Sequence, residues 1–223
     1  MNVFDLKRVP LRDLNAHLHN DPTDEVTVKN PGGRHAIAVG IDAAIDVTID
    51  GHVGYYCGGM NKRAKITVAG HAGPGVAENM MSGRVRVKGN ASQYAGASGR
   101  GGTLIVEGSA SARCGISMKG VDIVVAGDVG HMSAFMAQAG YLVVCGNAGQ
   151  HLGDSLYEAV IFVRGQVGDL GADCIEKEMT PTHRQTLSRL LEQSGFQHSP
   201  DEFRRYGSAR GLYHFDVDHA DAY

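Results

Sequence analysis

Branched apolar residues recur along the chain in short alternating runs, each closed by a glycine. VTIDG (47–51), ITVAG (66–70), VRVKG (85–89), LIVEG (104–108), IVVAG (123–127), LVVCG (142–146) and IFVRG (161–165) place those glycines nineteen residues apart every time. Four and two residues before each glycine only Val, Ile or Leu occurs, and two after it only Val or Ala. Three after it stands Gly or Ser, and seven after it Gly or Ala. The residue directly after it is always polar: His52, His71, Asn90, Ser109, Asp128, Asn147, Gln166. Self-similarity at a fixed period means stacked units, and period-two alternation of branched residues means strands.

No helical pattern separates successive strands, which excludes a parallel sheet with crossover helices. The pattern predicts an all-β fold, a single-stranded parallel β-helix of about seven 19-residue coils with like positions stacked about 4.8 Å apart. Its apolar columns fill the bore, and each buried Val, Ile or Leu contributes roughly 1.5–3 kcal/mol. Glycines at the corners permit positive φ and close backbone approach. They are not a nucleotide loop, which occurs once and ahead of a helix; no Gly-Lys dipeptide is present.

The flanks read differently. Pro10 with Leu11, Leu14 and Leu18 predicts a short helix. EVTVKN and RHAIAVG predict two strands around the turn Asn30-Pro31-Gly32-Gly33, and Thr180-Pro181 opens a helix ending near Gly195. SPDEFRRYG suggests a further short helix, and the tail SARGLYHFDVDHADAY is acidic and aromatic without a pattern. This divides the chain into an extension and cap (1–46), the β-helix (47–175) and a helical extension with a tail (176–223). Both ends of a β-helix leave backbone unpaired, and the terminal segments are its expected covers.

Composition narrows the class. Thirty-one glycines in 223 residues is about twice the usual ~7%, while Trp is absent. A net charge of −3 lacks the basic footprint of a nucleic-acid binder. The N-terminus has no apolar signal-peptide core, and no run approaches the ~18 apolar residues of a membrane span. Cys57, Cys114, Cys145 and Cys174 form no CxxC and read as reduced core residues of a cytoplasmic protein.

Gly51-x-x-Gly54-x-x-x-Gly58 and Gly146-x-x-Gly149-x-x-x-Gly153 resemble the GXGXG repeat of the C-terminal β-helix domain of glutamate synthase, over roughly 26–175. PGGRHAIAVG, DGHVGYYCGG and FRRYGSARGLYHF resemble the stand-alone form of that domain, above all the small β-helix subunit of N-methylglutamate synthase. The resemblance implies an assembly subunit of a hetero-oligomer, set between a glutamine-amidotransferase-like subunit and an FMN-binding glutamate-synthase-like subunit. The chemistry would lie on those partners: glutamate and methylamine giving N-methylglutamate and ammonia. FMN, with any iron–sulfur cluster, would also be theirs. This chain would carry no catalytic, cofactor-binding or metal residues. Residues 1–3 are Met-Asn-Val, not the cysteine nucleophile such an amidotransferase needs, and no grouped cysteines offer a cluster site.

Other readings keep definite residues. A related β-helix subunit occurs in formylmethanofuran dehydrogenase-type complexes. A carbohydrate-active β-helix would use Asp154 and Asp173, both eight after their glycines on adjacent coils and so roughly 5 Å apart. His52 and His71 would stack closely enough to share a metal, against the plainer reading of a solvated polar ladder. Cys57 and Cys114 share a column three coils apart, about 14 Å, too far for a disulfide. Lys62, Arg63, Lys65, Arg84, Arg100 and Lys119 make the early coils basic, whereas Asp154, Glu158, Asp169, Asp173 and Glu176 make the late ones acidic. Such asymmetry could orient two partners or simply be a solvated face.

Overall fold

The computed structural model describes residues 2–20 and 22–210, and it is a mostly-sheet parallel β-solenoid. The strands are β1 (Asn2–Asp5), β2 (Glu25–Lys29), β3 (Asp46–Asp50), β4 (Lys65–Val68), β5 (Arg84–Val87), β6 (Thr103–Val106), β7 (Lys119–Val125), β8 (Ala139–Val144), β9 (Val160–Val163), β10 (Cys174–Lys177) and β11 (Arg204–Ser208). Two α-helices, α1 (Leu11–Asn20) and α2 (Pro181–Ser194), flank the repeat. From β3 to β9 each strand pairs in parallel with the next at the nineteen-residue register, as in Val47↔Ile66 and Leu142↔Ile161. A second parallel ladder runs through the position two after each glycine, from Val53↔Ala72 to Ala148↔Val167. Coils are numbered one to seven from Gly51 to Gly165.

The bore is filled by the columns the pattern marked, Val47 to Ile161 and Ile49 to Val163, all essentially without solvent exposure. A further inward column lies six after the glycine and holds Cys57, Val76, Ala95, Cys114, Ser133 and Leu152. The one polar member, Ser133, is satisfied by donating its hydroxyl to the Gly130 carbonyl at 2.8 Å. Buried Asn61 likewise donates to the Ala64 and Ser82 carbonyls and accepts from the Ala64 N–H. No buried polar side-chain atom among the described residues lacks a partner, the condition under which burial is not penalised.

Left-handed backbone sits elsewhere than on the repeat glycines alone. Tyr56, Tyr94, Arg113, Met132 and His151, five after the glycine, have φ between 55° and 64°. Met60, Asn79, Ser98, Ser117, Met136 and Ser155, nine after it, are also left-handed. With the position seven after it, this makes three such residues on each of the first six coils, with the buried position six after the glycine between the first two. That alternation explains a misreading. RHAIAVG is a corner and not a strand, with Ala36, Ala38 and Gly40 left-handed and Ile37 buried. Its coil begins with β2, which pairs with β3 at Val26↔Val47.

The ends are closed in different ways. At the start, β1 extends the ladder in parallel on β2. From α1, buried Leu14 and Leu18 join the core, while Asn15 donates to the Ala36 carbonyl and accepts from the Ala38 N–H. At the far end β11 inserts antiparallel between β9 and β10. The short helix expected in SPDEFRRYG is a single 3-10 turn at Pro200–Glu202, and from Arg204 the segment runs on as strand. The tail beyond Arg210 lies outside the described residues. Helix α2 starts at the Thr180 cap with Pro181 inside it and stops at left-handed Gly195. It covers no end. Its Leu187, Leu190 and Leu191 bury Val124, Val143 and Phe162 on the outer sheet face, a second core. No helix among the described residues is long and apolar enough to cross a membrane.

Candidate functional site

The polar column after the glycines is the most regular chemical feature of the surface. Each of its side chains but the last, Gln166, accepts the backbone N–H of its counterpart one coil on. His52 Nδ1 accepts from His71 and His71 Nδ1 from Asn90, both at 2.9 Å. Asn90, Ser109, Asp128 and Asn147 repeat the contact as far as Gln166 at 2.7–3.1 Å. The acceptor oxygen or nitrogen lies over the next glycine. A Cβ on Gly108 would meet Asn90 Oδ1 at 2.1 Å, and one on Gly146 would meet Asp128 Oδ1 at 2.4 Å and the Gly127 carbonyl carbon at 2.6 Å. The glycine and the polar residue are thus one device, and the glycine is needed for space.

This decides the histidine pair. The rings of His52 and His71 do stack, 4.9 Å apart and within 8° of parallel. Each Nδ1 lone pair is already taken by a backbone N–H and is not open to a metal ion. Among the described residues no three His, Cys, Asp or Glu side chains gather to hold a metal ion.

Asp154 and Asp173 do not form a column. The last coil is one residue short: Leu152 bridges Leu170, eighteen residues on, where the coils before keep nineteen. Ser155 N–H accordingly donates to the Ala172 carbonyl, where Met136 N–H donates to Asp154. Asp173 lands over Ser155, and both are left-handed. Asp154 accepts from the Ser155 hydroxyl at 2.8 Å, while Asp173 pairs with Arg210. The paired-carboxylate arrangement fails on register.

The cysteines are all buried and free. Burial pushes the thiols of Cys57 and Cys114 up to about 12 and those of Cys145 and Cys174 to about 11, so thiolate chemistry is suppressed.

The basic group is partly compensated. Lys62 and Arg63 both pair with Asp42, at 2.8 and 3.1 Å, and Lys65 with Asp46 at 3.6 Å. Of the acidic group, Asp169 faces His151 and Glu176 faces Arg204. One residue escaped the sequence reading. Glu78 Oε2 lies 2.5 Å from where a Gly75 Cβ would stand, with the Tyr55 ring 3.2 Å from that point, and burial raises its pKa. The signal was Gly75 itself, in a column otherwise bearing large side chains.

No family model matches the chain, and no solved structure matches it. Protein GlxC of Rhizobium meliloti (strain 1021) is 60% identical over 228 aligned positions that span the whole of both chains.

Proposed function

The chain belongs to the family of Protein GlxC, and from that premise we propose that it is a structural subunit of a glutamate-synthase-like, FMN-dependent assembly. The relative's name states no activity, so the reading rests on the GXGXG repeat and on how the side chains are used. The observation that carries it is the polar column. The side chains most suited to ligand chemistry on this rod hold coil to coil through six backbone N–H groups. With a bore packed by Val, Ile and Leu, such a rod suits holding other chains in place.

The partners we propose are a glutamine-amidotransferase-like subunit and an FMN-binding synthase-like subunit in the cytoplasm. The overall reaction would be that of N-methylglutamate synthase, in which methylamine displaces the ammonia of glutamate. The test is recovery of the tagged chain from native extract by affinity capture and gel filtration. The expected result is co-elution with two larger chains, flavin absorbance, and methylamine-dependent N-methylglutamate formation that the isolated subunit lacks. Recovery as a lone monomer overturns the reading, and partners carrying tungsten or molybdenum replace it with the formylmethanofuran dehydrogenase type.

A further inference from the structure

Resting on the reading that this chain works among others, we infer that one corner of the solenoid is a docking strip for an extended, acidic segment of a partner protein. The strip is five consecutive members, on coils two to six, of the register column eleven residues after each glycine; the column's first member, Lys62, is held by Asp42. The N–H of Met81 donates to the Asn61 carbonyl, Arg100 to Met80, Lys119 to Gly99, Gln138 to Met118, and Tyr157 to Ala137. These five residues therefore stack on consecutive coils, about 4.8 Å per step, and all five are exposed.

The strip is apolar at both ends and basic in the middle. Met81 and Tyr157 are 41% and 47% exposed, and Met60 and Met136, two positions earlier in their coils, are 44% and 40% exposed. Those four are most of the large hydrophobic side chains left open among the described residues. Arg100 and Lys119 stand between them on neighbouring coils, like charges one step apart, which is unfavourable without a counter-charge. Lys62, Arg63 and Lys65 have acids to pair with. No ion pair engages Arg100 or Lys119 among the described residues, and 97–102 and 116–121 contain no acid. The acids Glu78, Asp154 and Glu158 border the apolar ends.

The occupant is defined by that order. From the coil of Met60 to that of Tyr157 is five steps, about 24 Å, which an extended chain of about seven residues spans at ~3.3 Å each. Two carboxylates on one face, two residues apart, are then about 7 Å from each other, within reach of both cations. Apolar side chains before and after them cover the methionines and Tyr157. Charge of this kind selects and orients a partner.

The test places a photocrosslinker in the strip, as Gln138→p-benzoylphenylalanine, in the full-length chain expressed in its native host. The same probe at Lys88, exposed directly after β5, is the control. Crosslinking from position 138 to a partner peptide with at least two Asp or Glu residues within a few positions is the expected result. Adding Arg100→Glu should cut that crosslink at least tenfold. The same change should leave the melting temperature of the purified subunit equal or higher, because Glu over Lys119 replaces a like-charge contact. Arg100→Lys should keep the crosslink. A neutral or basic peptide, or residues 211–223 of the chain itself, would overturn the proposal. Labelling only from position 88 would overturn it while the multichain reading stands; no label from either site on a monomeric chain would sink both.

Discussion

Asn90 shows how one residue can serve two coils. Its Oδ1 accepts the Ser109 N–H at 3.0 Å while its own N–H donates to His71 Nδ1 at 2.9 Å. Asn90→Asp keeps an acceptor, as Asp128 does in the same column, and should change stability by less than about 0.5 kcal/mol; Asn90→Ala should lose about 1 kcal/mol, the usual net worth of such a bond. Denaturant melts compare them, and equal losses would show that the acceptor is irrelevant. The polar character of this column was legible in the sequence, but its hydrogen-bonding role was not, because the partner lies nineteen residues away and exists only once register is set. Asp154 and Asp173 teach the converse: one residue fewer in the last coil undid a pairing that counting alone supported.

Helix α2 is the element whose placement the repeat could not reveal. Its start, stop and apolar face were all visible in Thr180, Gly195 and the leucines, yet the strip it covers lies on β7 to β9, three before the glycine, where Val124, Val143 and Phe162 replace the Thr48 and Thr67 of the first coils. Arg86 marks the helix's far end by donating to the Ser194 carbonyl at 2.9 Å and pairing with Glu107, a cation where the helix dipole is negative. Under the helix, burial pushes the Asp122 carboxyl above its ordinary range, offset in part by Arg189 at 3.9 Å. The folded form thus binds this proton more readily than the unfolded one. Stability falls as pH rises from about 3.9 through the raised folded value and is constant above it. Asp122→Asn should melt higher than the parent at pH 7, with the gap closing toward pH 4. A variant that melts lower at pH 7 would mean that Arg189 outweighs burial.

At the scale of the molecule, stability comes from stacking each coil on its neighbours. Val106, fully buried in the middle of the rod, touches that logic directly. Val106→Asp puts an uncompensated carboxylate in the bore at a cost of several kcal/mol, so the variant should be insoluble or lack a cooperative melt, whereas Asn90→Asp melts normally. Similar curves for the two would contradict the division into bore and surface.

The period, the inward columns and the parallel solenoid were determined by the sequence alone, because every coil repeats the same environment and one register explains them all. Tertiary structure alone decided where that register breaks, which outer columns a helix covers, how β11 closes the last coil, and which cations keep no counter-charge among the described residues. Each of those depends on a contact made once, between segments far apart in the chain, and a contact made once leaves no period to read.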